Sequence, residues 1–142
     1  MPVFLSAGDY IFGLHIGWRG LAQKILTRAL EKIDKNKEIK LWIGPHVHQK
    51  SYGLDLNSIK NLFSRHSLSL KEADKLGIFR RSFDKKDHFL IDLDSLLLHE
   101  ATGLGIKDFT RSDTNTYTSP IHYSHRRYSY RIGTNYSFII KT

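Results

Sequence analysis

Apolar residues in this chain fall into short runs with two different spacings, and that alternation constrains the fold more than any other feature. Residues 3–5 are apolar, Ala7-Gly8-Asp9 carries turn chemistry, and Tyr10-Ile11-Phe12-Gly13-Leu14-His15-Ile16 follows. Together they read as a hairpin feeding a buried strand. After Gly17-Trp18-Arg19-Gly20 the spacing switches to three and four: Leu21, Ala22, Ile25, Leu26, Ala29, Leu30 and Ile33 share one face of an amphipathic helix. That helix runs for about three to four turns at 3.6 residues per turn. Ile39-Lys40-Leu41-Trp42-Ile43 resumes as a strand, with Trp42 expected in the core, until Gly44-Pro45 stops the ladder for want of an amide proton.

The same alternation continues. Leu56, Ile59, Leu62 and Phe63 give a helix over 55–66 with Asp55 or Asn57 as its cap, and a short helix over 70–76 precedes irregular chain to residue 86. Residues 89–91 form a short strand, and Asp92 caps a helix through Leu93, Leu96, Leu97, Glu100 and Ala101 that Gly103 and Gly105 end. A strand over 106–110, a polar loop over 112–120 and a last strand over 136–140 complete the pattern, with no internal repeat.

At 142 residues and 40% hydrophobic content the chain suits one domain, spanning 1–142. No apolar run reaches 18 residues, and Met1-Pro2-Val3-Phe4-Leu5 has no secretory-signal pattern, so the expectation is a cytoplasmic protein with no membrane partner. Without cysteine there are no disulfides, no thiolate ligands and no cysteine nucleophile. A formal net charge of +8 favours polyanionic ligands, although most basic residues read as solvated surface. Tyr117, Tyr123, Tyr128 and Tyr130 sit among basic residues, but no nucleic-acid module pattern accompanies them, which argues against nucleic acid as the partner.

Four segments in order carry a family resemblance. Leu14-His15-Ile16-Gly17-Trp18-Arg19-Gly20 is similar to the His-Ala-Gly-Trp-Arg-Gly signature of laccase-domain proteins of the polyphenol oxidase, purine nucleoside phosphorylase type. Ile43-Gly44-Pro45 with Tyr52 resembles that family's Gly-Pro loop and following tyrosine, and Asp92-Leu93 opens the corresponding helix. Asn115-Thr116, then Tyr123-Ser124-His125-Arg126-Arg127 with Arg131, resemble its Cys-Thr, Phe-Ser-Tyr-Arg-Arg and Gly-Arg series. Asn115 in place of cysteine, His125 in place of an aromatic residue and Tyr130 in place of glycine depart from it.

The resemblance implies an α+β fold, mixed sheets flanked by helices, forming a single laccase-like domain that lacks its N-terminal part. It implies a zinc-dependent enzyme, with copper as the alternative metal, acting on purine nucleosides and phosphate by phosphorolysis, with adenosine deamination and polyphenol oxidation as related activities. His15 matches the third metal ligand; the other two of three expected ligands are absent from this chain, so a second chain supplying the missing part is the implied partner. Arg19 and Arg126 are the candidate catalytic residues, because guanidinium groups match phosphate with paired donors; the alternative is that they tie loops to carboxylates or carbonyls. Arg127 and Arg131 read as surface residues, and Trp18 as core or cleft wall. His46-Val47-His48 places two imidazoles on one face of an extended segment, a geometry that can serve a metal but that reads first as polar loop. The competing function is a catalytically dead laccase-like domain that acts as an interaction or binding module.

Overall fold

The first strand fixes the centre of the molecule because its apolar residues alternate: Val3, Leu5 and Ala7 are buried while Phe4 lies on the half-covered opposite face. The computed structural model describes residues 1–34, 37–82, 88–128 and 133–140. In it β1 (Pro2–Ala7) pairs antiparallel with β2 (Tyr10–His15) on one side and with β3 (Ile39–Ile43) on the other, and β7 (Asp108–Arg111) adds to β3 in parallel. The order of this sheet is β2-β1-β3-β7. A second, antiparallel sheet has the order β4-β6-β5, from β4 (Gly53–Asp55), β6 (His88–Ile91) and β5 (Phe79–Arg81). Helices flank both sheets, and one continuous apolar cluster joins β1, β3 and β6 to them.

The expected hairpin forms, but β1 rather than β2 is its buried strand; β2 is the sheet edge, with half-covered and exposed side chains. Period two also explains Trp42: Leu41 and Ile43 are buried, so Trp42 faces the other side opposite Phe4 and is only half-buried. The helix expected over residues 21–33 is broken into α1 (Trp18–Ala22) and α2 (Ile25–Leu30), because Lys24 takes a left-handed conformation with φ 56°. Apolar spacing alone cannot report such a break, since Leu21 and Leu26 are buried on both sides of it.

Three further helices follow the sequence closely. In α3 (Leu56–Arg65), Ile59, Leu62 and Phe63 are buried at helical spacing and the Asp55 carboxylate accepts from Ser58 N at 2.9 Å. The α4 helix (Leu70–Lys75) opens on a capping box between Ser69 and Glu72. The α5 helix (Leu93–Gly103) begins at Asp92, buries Leu93, Leu96, Leu97 and Ala101, and yields at Gly105, whose φ of 86° favours glycine.

Three expectations fail for want or presence of a partner. Residues 79–81, expected to be irregular, form β5 because β6 offers a free edge. The strand expected over 106–110 starts two residues later as β7. Residues 136–140 form no strand: among the described residues no ladder pairs with them, and Tyr136, Phe138 and Ile140 stay exposed. No described helix is long and apolar enough to cross a membrane.

Candidate functional site

Chain ends of the central strands converge on one open cleft of about 1380 Å³. β2 delivers His15 at its last position, and the Ile16 amide donates to the Met1 carbonyl at 2.8 Å, pinning the strand end beside β1. Gly17 then starts α1, whose first residues, Trp18 and Arg19, face the same cleft. The Arg19 guanidinium lies 4.7 Å from the centre of the Trp18 ring.

The opposite wall is built where β3 stops. A Cβ on Gly44 would sit 2.8 Å from the Pro2 ring, and the Gly44 amide donates to the Pro2 carbonyl at 2.9 Å, so only glycine lets the chain leave β3 this close to β1. His46 follows, buried, with Nδ1 donating to the Gly44 carbonyl at 2.9 Å. A turn of 3-10 helix, Gln49–Ser51, brings Tyr52 to the cleft, where its carbonyl accepts from Ile91 N at 2.9 Å. Arg126 arrives from the C-terminal segment: its guanidinium lies 3.9 Å from the Tyr52 ring centre and donates to the Gly53 carbonyl at 2.7 Å.

Thus His15, Arg19 and Arg126, far apart in sequence, line one cleft together with Trp18, Tyr52 and His125. Arg126 does tie a loop to a carbonyl, as its alternative reading anticipated, while staying on the cleft surface. Arg127 is not a surface residue. It is half-buried and donates to the carbonyls of Tyr117 (3.1 Å), Ser119 (2.7 Å) and His122, holding together the loop that presents His122 and Tyr123. Neighbouring arginines look alike in sequence, and only the curl of residues 117–122 around one of them separates their roles. Arg131 and Tyr130 lie outside the described residues.

His15 titrates below its ordinary value, pushed down by the charged form of the Met1 amine and then by burial. A neutral imidazole is the form that can donate a lone pair to a metal. Yet among the described residues no group of three His, Cys, Asp or Glu side chains could hold a metal ion, so His15 does not by itself make a metal centre. The His46 and His48 rings lie 4.9 Å apart between centres, tilted by 50°, and are not part of such a group either.

Behind the His46 wall is a buried charge cluster that sequence reading missed. Asp94, in the first turn of α5, has Oδ2 3.3 Å from Arg111 Nη1 and Oδ1 3.7 Å from His46 Nε2. Burial works to raise Asp94, but His46, Asp92 and Arg111 outweigh it and hold the carboxyl well below the usual range. Asp92 is pushed up to about 6, by burial first and then by Asp94. A carboxylate at helix position two reads from sequence as dipole complement, and nothing in the spacing reveals a histidine 48 residues upstream beside it.

The α+β scaffold of two small sheets thus places a strand-end histidine and two arginines, each lying on an aromatic ring, around one open cleft, which is the candidate site. Over residues 1–142 the chain matches the family model described as multi-copper polyphenol oxidoreductase laccase, and it belongs to that family. It is 30% identical over 141 residues to a purine nucleoside phosphorylase of Rickettsia conorii and 31% identical over 143 residues to one of Rickettsia prowazekii. Each alignment takes in 96% of this chain and 56% of the relative, so the chain spans just over half the length of these curated relatives. A solved Neisseria meningitidis protein superposes with a TM-score of 0.72 at 21% identity, covering 89% of this chain and 50% of that one. The hypothetical protein YfiH of Bacillus licheniformis gives 0.70 at 22%, covering 89% and 48%. These structures establish the fold as α+β, with two sheets, one mixed and one antiparallel, flanked by helices.

Proposed function

We propose that the cleft is the purine nucleoside and phosphate site of a purine nucleoside phosphorylase-type protein. One observation carries the reading: the fold brings His15, Trp18 and Arg19 of one segment together with Tyr52 and Arg126 of two others. Relatives named purine nucleoside phosphorylase support the substrate class. Arg19 and Arg126 present multiple N–H donors to a phosphate, and Trp18 and Tyr52 offer apolar faces to a purine and sugar. In phosphorolysis a phosphate oxygen attacks the anomeric carbon, the carbon–nitrogen bond to the base breaks, and the base leaves with the bonding pair and takes up a proton. The role of the two arginines is to hold the dianion against that carbon and to balance its charge as the bond forms.

His15 is the candidate ligand for zinc or copper in this chain, and a metal centre takes further donors that the described residues do not group with it. A second chain could bring them, and a cytoplasmic setting fits the substrates. The test is turnover of inosine and adenosine in phosphate, with and without added zinc or copper, read as free base and ribose 1-phosphate. Equal amounts of the two products, reduced at least tenfold in Arg19→Gln and Arg126→Gln, support phosphorolysis. Nucleoside binding without turnover leaves the catalytically silent module, and neither binding nor turnover overturns the reading.

A further inference from the structure

The lining of the cleft has a one-sided chemistry. His15, Arg19, His122, His125 and Arg126 contribute cationic or protonatable groups, and among the described residues no Asp or Glu lines it. A buried carboxylate outside the lining, Asp94, sits beside His46 and is already engaged by Arg111. Each of the two arginines also lies against an aromatic ring, Arg19 on Trp18 and Arg126 on Tyr52. Each cationic group of the pair therefore shares one cavity with an aromatic ring beside it. The volume of about 1380 Å³ exceeds the roughly 300–1000 Å³ that a single small ligand fills, so base and phosphate can be accommodated at once.

We propose that the cleft binds purine nucleoside monophosphates, base and 5′-phosphate on the same molecule, and that these compete with nucleoside plus inorganic phosphate for the site. The inference rests on the reading of the cleft as a purine nucleoside site. A bare nucleoside leaves the two guanidinium groups facing water, whereas a monophosphate places a dianion where no carboxylate repels it. Joining base and phosphate in one molecule also removes the entropy cost of recruiting two ligands. A nucleic-acid strand would use the same groups, but through many phosphates at once and with steep dependence on salt.

The test uses Trp18 as reporter in the Trp42→Phe chain, since Trp42 lies in β3 and does not line the cleft. Fluorescence is titrated with adenosine, inorganic phosphate, AMP and a single-stranded oligonucleotide. The expected result is AMP binding at least tenfold tighter than adenosine, displaced by adenosine and phosphate together. Arg19→Gln or Arg126→Gln should weaken AMP by about 10- to 100-fold, the scale of a charge-assisted hydrogen bond. Equal affinities for AMP and adenosine, with adenosine still bound, overturn the monophosphate proposal and leave the nucleoside reading standing. No response to any purine overturns both. Tighter binding of the oligonucleotide than of AMP, with affinity falling as a high power of salt, overturns it in favour of a nucleic-acid groove.

Discussion

Lys24 is where the structure departs most from a simple helix, and replacing it by methionine tests why. Glu100 on α5 is buried; its Oε1 accepts from Thr27 Oγ1 at 2.6 Å, while Oε2 lies 3.9 Å from Lys24 Nζ and 3.7 Å from His66 Nδ1. His66 does not supply the compensating charge. Its Nε2 donates to the Leu21 carbonyl at 3.1 Å and its Nδ1 accepts from Lys24 at 2.9 Å, a neutral arrangement that fits a pKa pushed down by burial and by Lys24. Lys24 is thus the cation that balances Glu100. Two unit charges at that separation attract by about 4 kcal/mol at an effective dielectric of about 20. Lys24 keeps a third of its side chain in water, which screens part of this, so Lys24→Met should cost about 2–3 kcal/mol. Adding Glu100→Gln to that variant removes the orphaned charge and should return about half of the loss or more. Urea unfolding followed by tryptophan fluorescence gives both values, with an unchanged m-value as the sign that the same native state is compared. A loss below about 0.5 kcal/mol, or no recovery in the double variant, would refute the assignment of Lys24 as the cation that balances Glu100.

Arg127→Ala should destabilise by about 2 kcal/mol, since three carbonyls lose a charged donor, and amide exchange over residues 117–124 should quicken; Arg127→Lys should not restore protection, because one ammonium cannot reproduce the planar fork. Gly44→Ala should cost about 1–3 kcal/mol in thermal unfolding, because its Cβ would force β1 and β3 apart at Pro2. The pH dependence of stability follows from the Asp92–Asp94 pair. Asp92, raised from 3.8 to about 6, binds a proton in the folded state that the unfolded chain has already released, so its contribution falls as pH rises from about 4 to about 6. Asp94 is lowered, so its contribution is present above its ordinary value and is lost only as the solution becomes more acidic than that. Asp92→Asn, which can still cap α5, should abolish the decline between pH 4 and 6 in denaturation midpoints; an unchanged decline would show that other groups cause it.

Elements whose residues bury one face against a local neighbour were legible in sequence: β1, β3, α3 and α5 stand where apolar period and capping residue place them. What was not legible depends on contacts distant in the chain. The break at Lys24 answers to Glu100 and His66, β5 exists because β6 has an edge to offer, and the half-exposure of Trp42 follows from which face of the sheet the helices cover. The cleft shows the same division. His15, Trp18, Arg19, Tyr52 and Arg126 could be chosen from motifs, and the fold gathers them. Arg127 as a loop organiser and Asp94 behind His46 could not, because their partners are backbone carbonyls and a distant imidazole that no spacing rule connects.

The most direct test of the cleft as a purine nucleoside and phosphate site is a side-chain NMR titration. Arginine Nε–H and tryptophan indole N–H signals are recorded as inosine and phosphate are added to the intact chain. Shifts concentrated at Trp18, Arg19 and Arg126, with Trp42 and Arg65 unmoved, are the predicted result. Saturating shifts at other arginines, or none anywhere at millimolar ligand, would contradict the account.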